Sequence, residues 1–277
     1  MRPPVLFAAA WVMPRLRSGL LGSALFVLFA VCGLPLPVWA GRACAPKPVT
    51  AVTVEQAMGL AQRTARALED TGAQVVVLAR AGQDLSRFRL RWSHLGWAYR
   101  DGGRWYVVHK LNDCGRDTAA LYRQGLGEFF LDDMFEYRSA FIVPQPEFQQ
   151  RLLPMLRQNA AAAAMHESRY SLVSYPWSQR YQQSNQWVLE TLARALDDEA
   201  SDRVRAQQVL KARGYEPAAL QIGALERLGG RLTAANVAFD DHPNDKRFSN
   251  RIETVTVESV FDWMSRSGLS GTPQFVP

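Results

Sequence analysis

Apolar positions along the chain fall into two periods, and the changes between them predict its elements. From Val54 to Leu68 the residues Val54, Ala57, Met58, Ala61, Ala65 and Leu68 recur at three- and four-residue intervals, which lays them on one stripe of a helix. Gln56, three residues after Thr53, completes a capping box, so a helix is predicted over 54–70, ended by Gly72. QVVVLAR (Gln74–Arg80) is a β-branched run that reads as a strand. DTAALYRQGLGEFFLDDMF reads as mixed helix and loop, SAFIVP (Ser139–Pro144) as a strand, and Pro146 to Ala164 as a helix. RYSLVSYPW is extended. Ser184–Glu199 reads as a helix with Trp187, Val188, Leu192, Ala195 and Leu196 on its apolar face. Beyond Asp202 two helices are predicted, in DRVRAQQVLKARGY and PAALQIGALERLGG. A strand in RLTAANVAF, a loop in DDHPNDKRFSN, and a strand then a helix in IETVTVESVFDWMSR complete the series. No repeat or low-complexity tract interrupts it.

The stretch RWSHLGWAYRDGGRWYVVHK (Arg91–Lys110) alternates on both sides of Asp101-Gly102, a strong signal for a two-residue hairpin turn. With those two residues as the turn, facing residues have numbers summing to 203, and His94 lies directly across from His109, with Cβ atoms about 5 Å apart. His94, Gly96 and Ala98 then share a face with Trp105, Val107 and His109, while Leu95, Trp97 and Tyr99 take the other. The small residues beside His94 leave room for another element to approach. Two imidazoles so placed can form a base and the partner that fixes its tautomer, or a pair of half-buried structural histidines. No ligand spacing ties them to His166 or to Asp240-Asp241-His242, so neither metal nor cofactor is expected. The Asp240–Asp245 cluster reads as a solvated turn around Pro243.

Composition changes the picture at the N-terminus. Residues 1–40 carry three of the net +6 charges, Arg2, Arg15 and Arg17, and no acid. The apolar run Gly19–Gly33 and the small-residue ending Val38–Ala40 follow. That is the anatomy of a secretory signal peptide cleaved near Ala40, starting at Met1 or Met13. The run is shorter than the roughly 20 residues of a membrane span, and Val31 before Cys32 does not suit a lipobox. What remains is too mildly basic to suggest nucleic acid as a partner, and no transmembrane span is expected after cleavage. Cys44 and Cys114 are left, an even pair in an oxidising compartment, which suggests one disulfide. The expected location is periplasmic or secreted.

SHLGWAYRDGGRWYVVHK resembles the histidine strand of papain-like enzymes of the NlpC/P60 superfamily, which runs His-hydrophobic-Gly-hydrophobic and returns through a glycine turn to hydrophobic-His. The resemblance implies that His94 is the catalytic base and His109 its orienting partner. In the circularly permuted branch, which includes the lecithin retinol acyltransferase group, the nucleophile follows at the start of a later helix. YQQSNQWVLE (Tyr181–Glu190) lies in that place and puts Ser184 at the position of the usual cysteine. A serine gains little from a helix N-terminus and must hand its proton to a base; otherwise Ser184 is a helix cap. Asn185 and Gln186 could line the pocket as hydrogen-bond donors, to an oxyanion among other groups. Over its full length the chain also resembles an uncharacterised exported family of unknown function, numbered 2145.

The expected fold is therefore α+β and permuted papain-like, a small antiparallel sheet with helices packed on one side. A signal peptide over 1–40, a main domain over 41–200 and a C-terminal α/β extension or small subdomain over 201–277 make up the chain. The expected function is an envelope hydrolase or acyltransferase acting on amide or ester bonds of peptidoglycan peptides or lipid acyl groups. The alternative is a catalytically inactive ligand-binding or structural protein of the same fold.

Overall fold

A computed structural model describes residues 48–132 and 134–277; the predicted signal peptide and Cys44 lie outside them. The fold is α+β. Among the described residues eight strands run in chain order: β1 (Val75–Ala81), β2 (His94–Asp101), β3 (Arg104–Asn112), β4 (Ala119–Gly125), β5 (Glu136–Ile142), β6 (Ala218–Gln221), β7 (Arg251–Thr254) and β8 (Gln274–Val276). Six of them form one antiparallel sheet in the order β4-β3-β2-β1-β5-β8, and β6 pairs with β7 separately. The helices are α1 (Ala51–Asp70), α2 (Leu126–Leu131), α3 (Pro146–Arg157), α4 (Asn159–Ala163), α5 (Ser184–Leu196), α6 (Arg203–Ala212), α7 (Ala224–Thr233), α8 (Asn244–Phe248) and α9 (Val257–Arg266).

Helices cover the sheet on both faces, not on one. Leu60 and Leu68 of α1 and Phe129 and Phe130 of α2 pack with Val76, Leu78, Ala98 and Val107. Leu152 of α3 and Trp187, Val188 and Leu192 of α5 pack with Val77, Leu95, Trp97 and Val108 on the other side. β1 is buried along its whole length, which is why its sequence is an apolar run rather than an alternation. Residues beyond 200 join the same core through Leu210, Val260, Phe261 and Trp263, and β8 extends the sheet beyond β5.

Several local expectations are corrected. α1 begins at Ala51 because Thr50 is the cap, its hydroxyl accepting from the Thr53 amide. Ala119–Gly125 is a strand, its residues completing the ladder to β3. The long helix after Pro146 breaks between α3 and α4. Ala218–Gln221 is a strand where a helix was expected, and Arg231–Thr233 closes α7 where a strand was expected. The Asp240–Asp245 cluster is a turn solvated only in part, with 240 and 241 in the turn and 243–245 exposed. His242 is buried, its ring nitrogens bonded to Asp241 Oδ1 at 3.0 Å and the Glu253 carbonyl at 2.9 Å.

Candidate functional site

The turn of the β2–β3 hairpin is Gly102-Gly103, both with positive φ (55° and 76°), the combination a type I′ turn needs. Asp101 pairs with Arg104 and Trp97 with Val108, so facing residues sum to 205 rather than 203. A shift of two keeps every side chain on its expected face, but it moves His109 across from Gly96 and leaves His94 diagonal to it. Gly96 is what makes the diagonal short. A Cβ there would stand 2.5 Å from Val107 Cγ1 and 3.1 Å from His109 Cβ. The room it provides is thus taken by the neighbouring strand, not by an approaching helix.

The two imidazoles meet, His94 Nε2 lying 2.9 Å from His109 Nδ1. His109 Nε2 is 2.7 Å from Gln124 Oε1, and the Gln124 amide nitrogen donates to Glu128 Oε1 at 3.1 Å. Glu128 can only accept, which fixes the Gln124 amide and makes His109 Nε2 a donor. Burial, then the nearby Arg80 guanidinium, lower the His109 pKa to about 3, so the ring is neutral and its Nδ1 accepts. His94 therefore donates from Nε2, which in a neutral ring leaves the lone pair on Nδ1. Arg80 stands directly across from His94 in the β1–β2 ladder, lies 4.6 Å from the Phe129 ring centre and pairs with Asp132 at 2.5 Å.

Beyond Trp97–Val108 the hairpin opens. The next hydrogen-bonded pair in the ladder would be Leu95 with Lys110. Instead the Leu95 amide donates to Asn185 Oδ1 at 2.9 Å, and the Lys110 carbonyl accepts from Ser184 Oγ at 2.7 Å. The first turn of α5 thus supplies the partners that the separated strands lose. Ser184 is not the cap of α5; Gln183 is, accepting from the Asn185 amide. Asn185 Nδ2 donates to the Val255 carbonyl, and Gln186 bonds Ser174, Pro176 and Glu190. Both amides are committed inside the protein.

A cavity of about 850 Å³ opens where the strands part, and Arg80, His94, Gln124, Tyr170, Gln183 and Ser184 are among its lining residues. Cys114 also lines it. The structure therefore brings His94, His109 and Ser184 to one end of the sheet, with Ser184 bonded to backbone rather than to a histidine. Among the described residues no group of three or more His, Cys, Asp or Glu side chains is placed to hold a metal ion, and no helix is long and apolar enough to cross a membrane.

The sequence reading missed Arg80, Gln124 and Glu128, because β4 was not recognised and Arg80 ended an apolar strand. It also missed Lys110, which is fully buried and donates to the Glu167 carbonyl and Gln182 Oε1. Burial, then Arg203, lower its pKa to about 7.

A family described as an uncharacterized protein conserved in bacteria (DUF2145) matches residues 67–264. The chain belongs to this family. Its matched span runs from the end of α1 to α9 and contains the whole site. No curated protein and no solved structure matches the chain.

Proposed function

We propose that this member of the family is an exported, permuted papain-like protein whose cavity binds a peptidoglycan peptide or a lipid acyl group, and that it hydrolyses or transfers at an amide or ester bond. The observation that carries the reading is the 2.9 Å bond between His94 and His109, held in one tautomer by Gln124 at a cavity wall. An imidazole with its lone pair fixed on one nitrogen is what a general base requires. Ser184 would attack, His94 Nδ1 would take its proton, and His109 would orient the base. To do so the Ser184 hydroxyl must first leave the Lys110 carbonyl. Export, and a disulfide between Cys114 and Cys44, belong to the same proposal.

The Ser184–Lys110 bond favours a second reading, in which the serine only closes the sheet and the cavity binds without catalysis. A serine-reactive fluorophosphonate probe separates the two. Labelling at Ser184 that disappears in His94→Ala supports catalysis. No labelling, together with muropeptide-induced shifts of the His94 ring resonances, supports binding alone. Absence of both overturns the proposal.

A further inference from the structure

The α7 helix presents an apolar stripe to solvent. Leu225, Leu228 and Leu232 are 84%, 55% and 76% exposed, and their spacing places them on one side of the helix. On a protein surface single exposed leucines need no explanation, but three in register do. Phe248, at the end of α8, is 71% exposed; it lies two residues before Asn250, whose side chain accepts from Arg227 of α7.

Basic residues predominate around the stripe, although Asp245 of α8 is also exposed. The single acid of α7, Glu226, is paired with Arg87 and also accepts from the Gly223 amide. Lys246 and Glu253 likewise neutralise each other at 2.6 Å. Among the described residues no carboxylate pairs with Arg227, Arg231, Arg247 or Arg251. A leucine face edged by unneutralised arginines is complementary to an anionic interface with an apolar interior. The helix also contains Gly229-Gly230, a pair that lowers its intrinsic stability by about 1 kcal/mol per residue and leaves it to be steadied by what it lies against.

We propose that the outer face of α7 docks on an anionic phospholipid surface through Leu225, Leu228 and Leu232, with the flanking arginines on the headgroups. Arg231 and Leu232 also line the cavity beside His94, so docking sets the cavity mouth at the lipid surface. The inference stands whether or not His94 performs catalysis.

The test is amide hydrogen exchange of the full chain with vesicles of phosphatidylcholine alone or mixed with phosphatidylglycerol. The readout is local, because the apolar run Gly19–Gly33 could tether the chain by itself. Exchange over residues 224–233 is expected to slow at least tenfold with phosphatidylglycerol vesicles and to stay unchanged with phosphatidylcholine alone. The variant L225E/L228E/L232E, with an unchanged unfolding midpoint, is expected to lose vesicle binding at least tenfold beyond any tether, and Arg231→Glu to lose part of it. Unaltered exchange overturns the proposal. Slow exchange before vesicles are added would assign the face to another part of the chain. Self-association abolished by the triple variant would assign it to a second copy. Either of these also overturns it.

Discussion

Neutral His109 makes acid stability readable at a single residue. Its folded pKa lies near 3 through burial and the Arg80 charge, against an ordinary value of 6.5. The unfolded chain therefore binds a proton that the folded one refuses between these values, so this group's contribution to stability is intact above about pH 6.5 and falls as the pH drops towards 3. His109→Gln removes the titrating group while keeping a polar side chain. Urea unfolding midpoints at pH 7 and pH 5 are expected to differ less in the variant than in the wild type. An equal difference would show that the proton uptake occurs elsewhere. Gly96 acts at the same scale: without a side chain it lets the His109 ring lean across to His94.

The decisive element is the first turn of α5. Asn185→Ala leaves the buried Leu95 amide without its acceptor, at a cost of about 1–3 kcal/mol. Ser184→Ala removes the donor to the Lys110 carbonyl and also the partner of the buried Tyr170 hydroxyl, at a cost of about 1–3 kcal/mol. Denaturant unfolding is expected to show a loss of this size in both variants; an unchanged midpoint in either would mean that its side chain does not hold the opened hairpin. This element also shows how far the sequence could be read. The helix from Ser184 and its apolar face were legible because periodicity reports burial. The faces of His94 and His109 survived a misplaced turn because a two-residue shift conserves parity. Two glycines following Asp101 offer two turns, and local pattern does not choose between them. Nor could it announce that Asn185 and Ser184 serve strand groups, since those bonds join distant parts of the chain. β4 was lost for a related reason: Arg123 and Gln124 interrupt its apolar pattern, and the site residue Gln124 was lost with it.

At the scale of the molecule the sheet is closed by its last residues. β8 pairs with β5, Val276 is buried, and the Pro277 carbonyl accepts from Arg63 Nε of α1 at 2.7 Å. Deleting residues 274–277 is expected to lower stability by about 2 kcal/mol, mostly through Val276, and to uncover the β5 edge, with faster amide exchange over Ser139–Phe141. Unchanged exchange there would mean that β8 adds little in solution.

The opened hairpin has a consequence for how the chain acquires its shape. Its inner half, from the glycine turn to Trp97 and Val108, needs only neighbouring residues and can close early. Its outer half depends on Asn185, which lies 90 residues beyond Leu95. Closing a loop of that length must come before the contact rewards it, and such pairings slow folding. The end of the hairpin that carries His94 is thus expected to be ordered only after α5 has docked, which makes the cavity one of the last parts of the protein to exist.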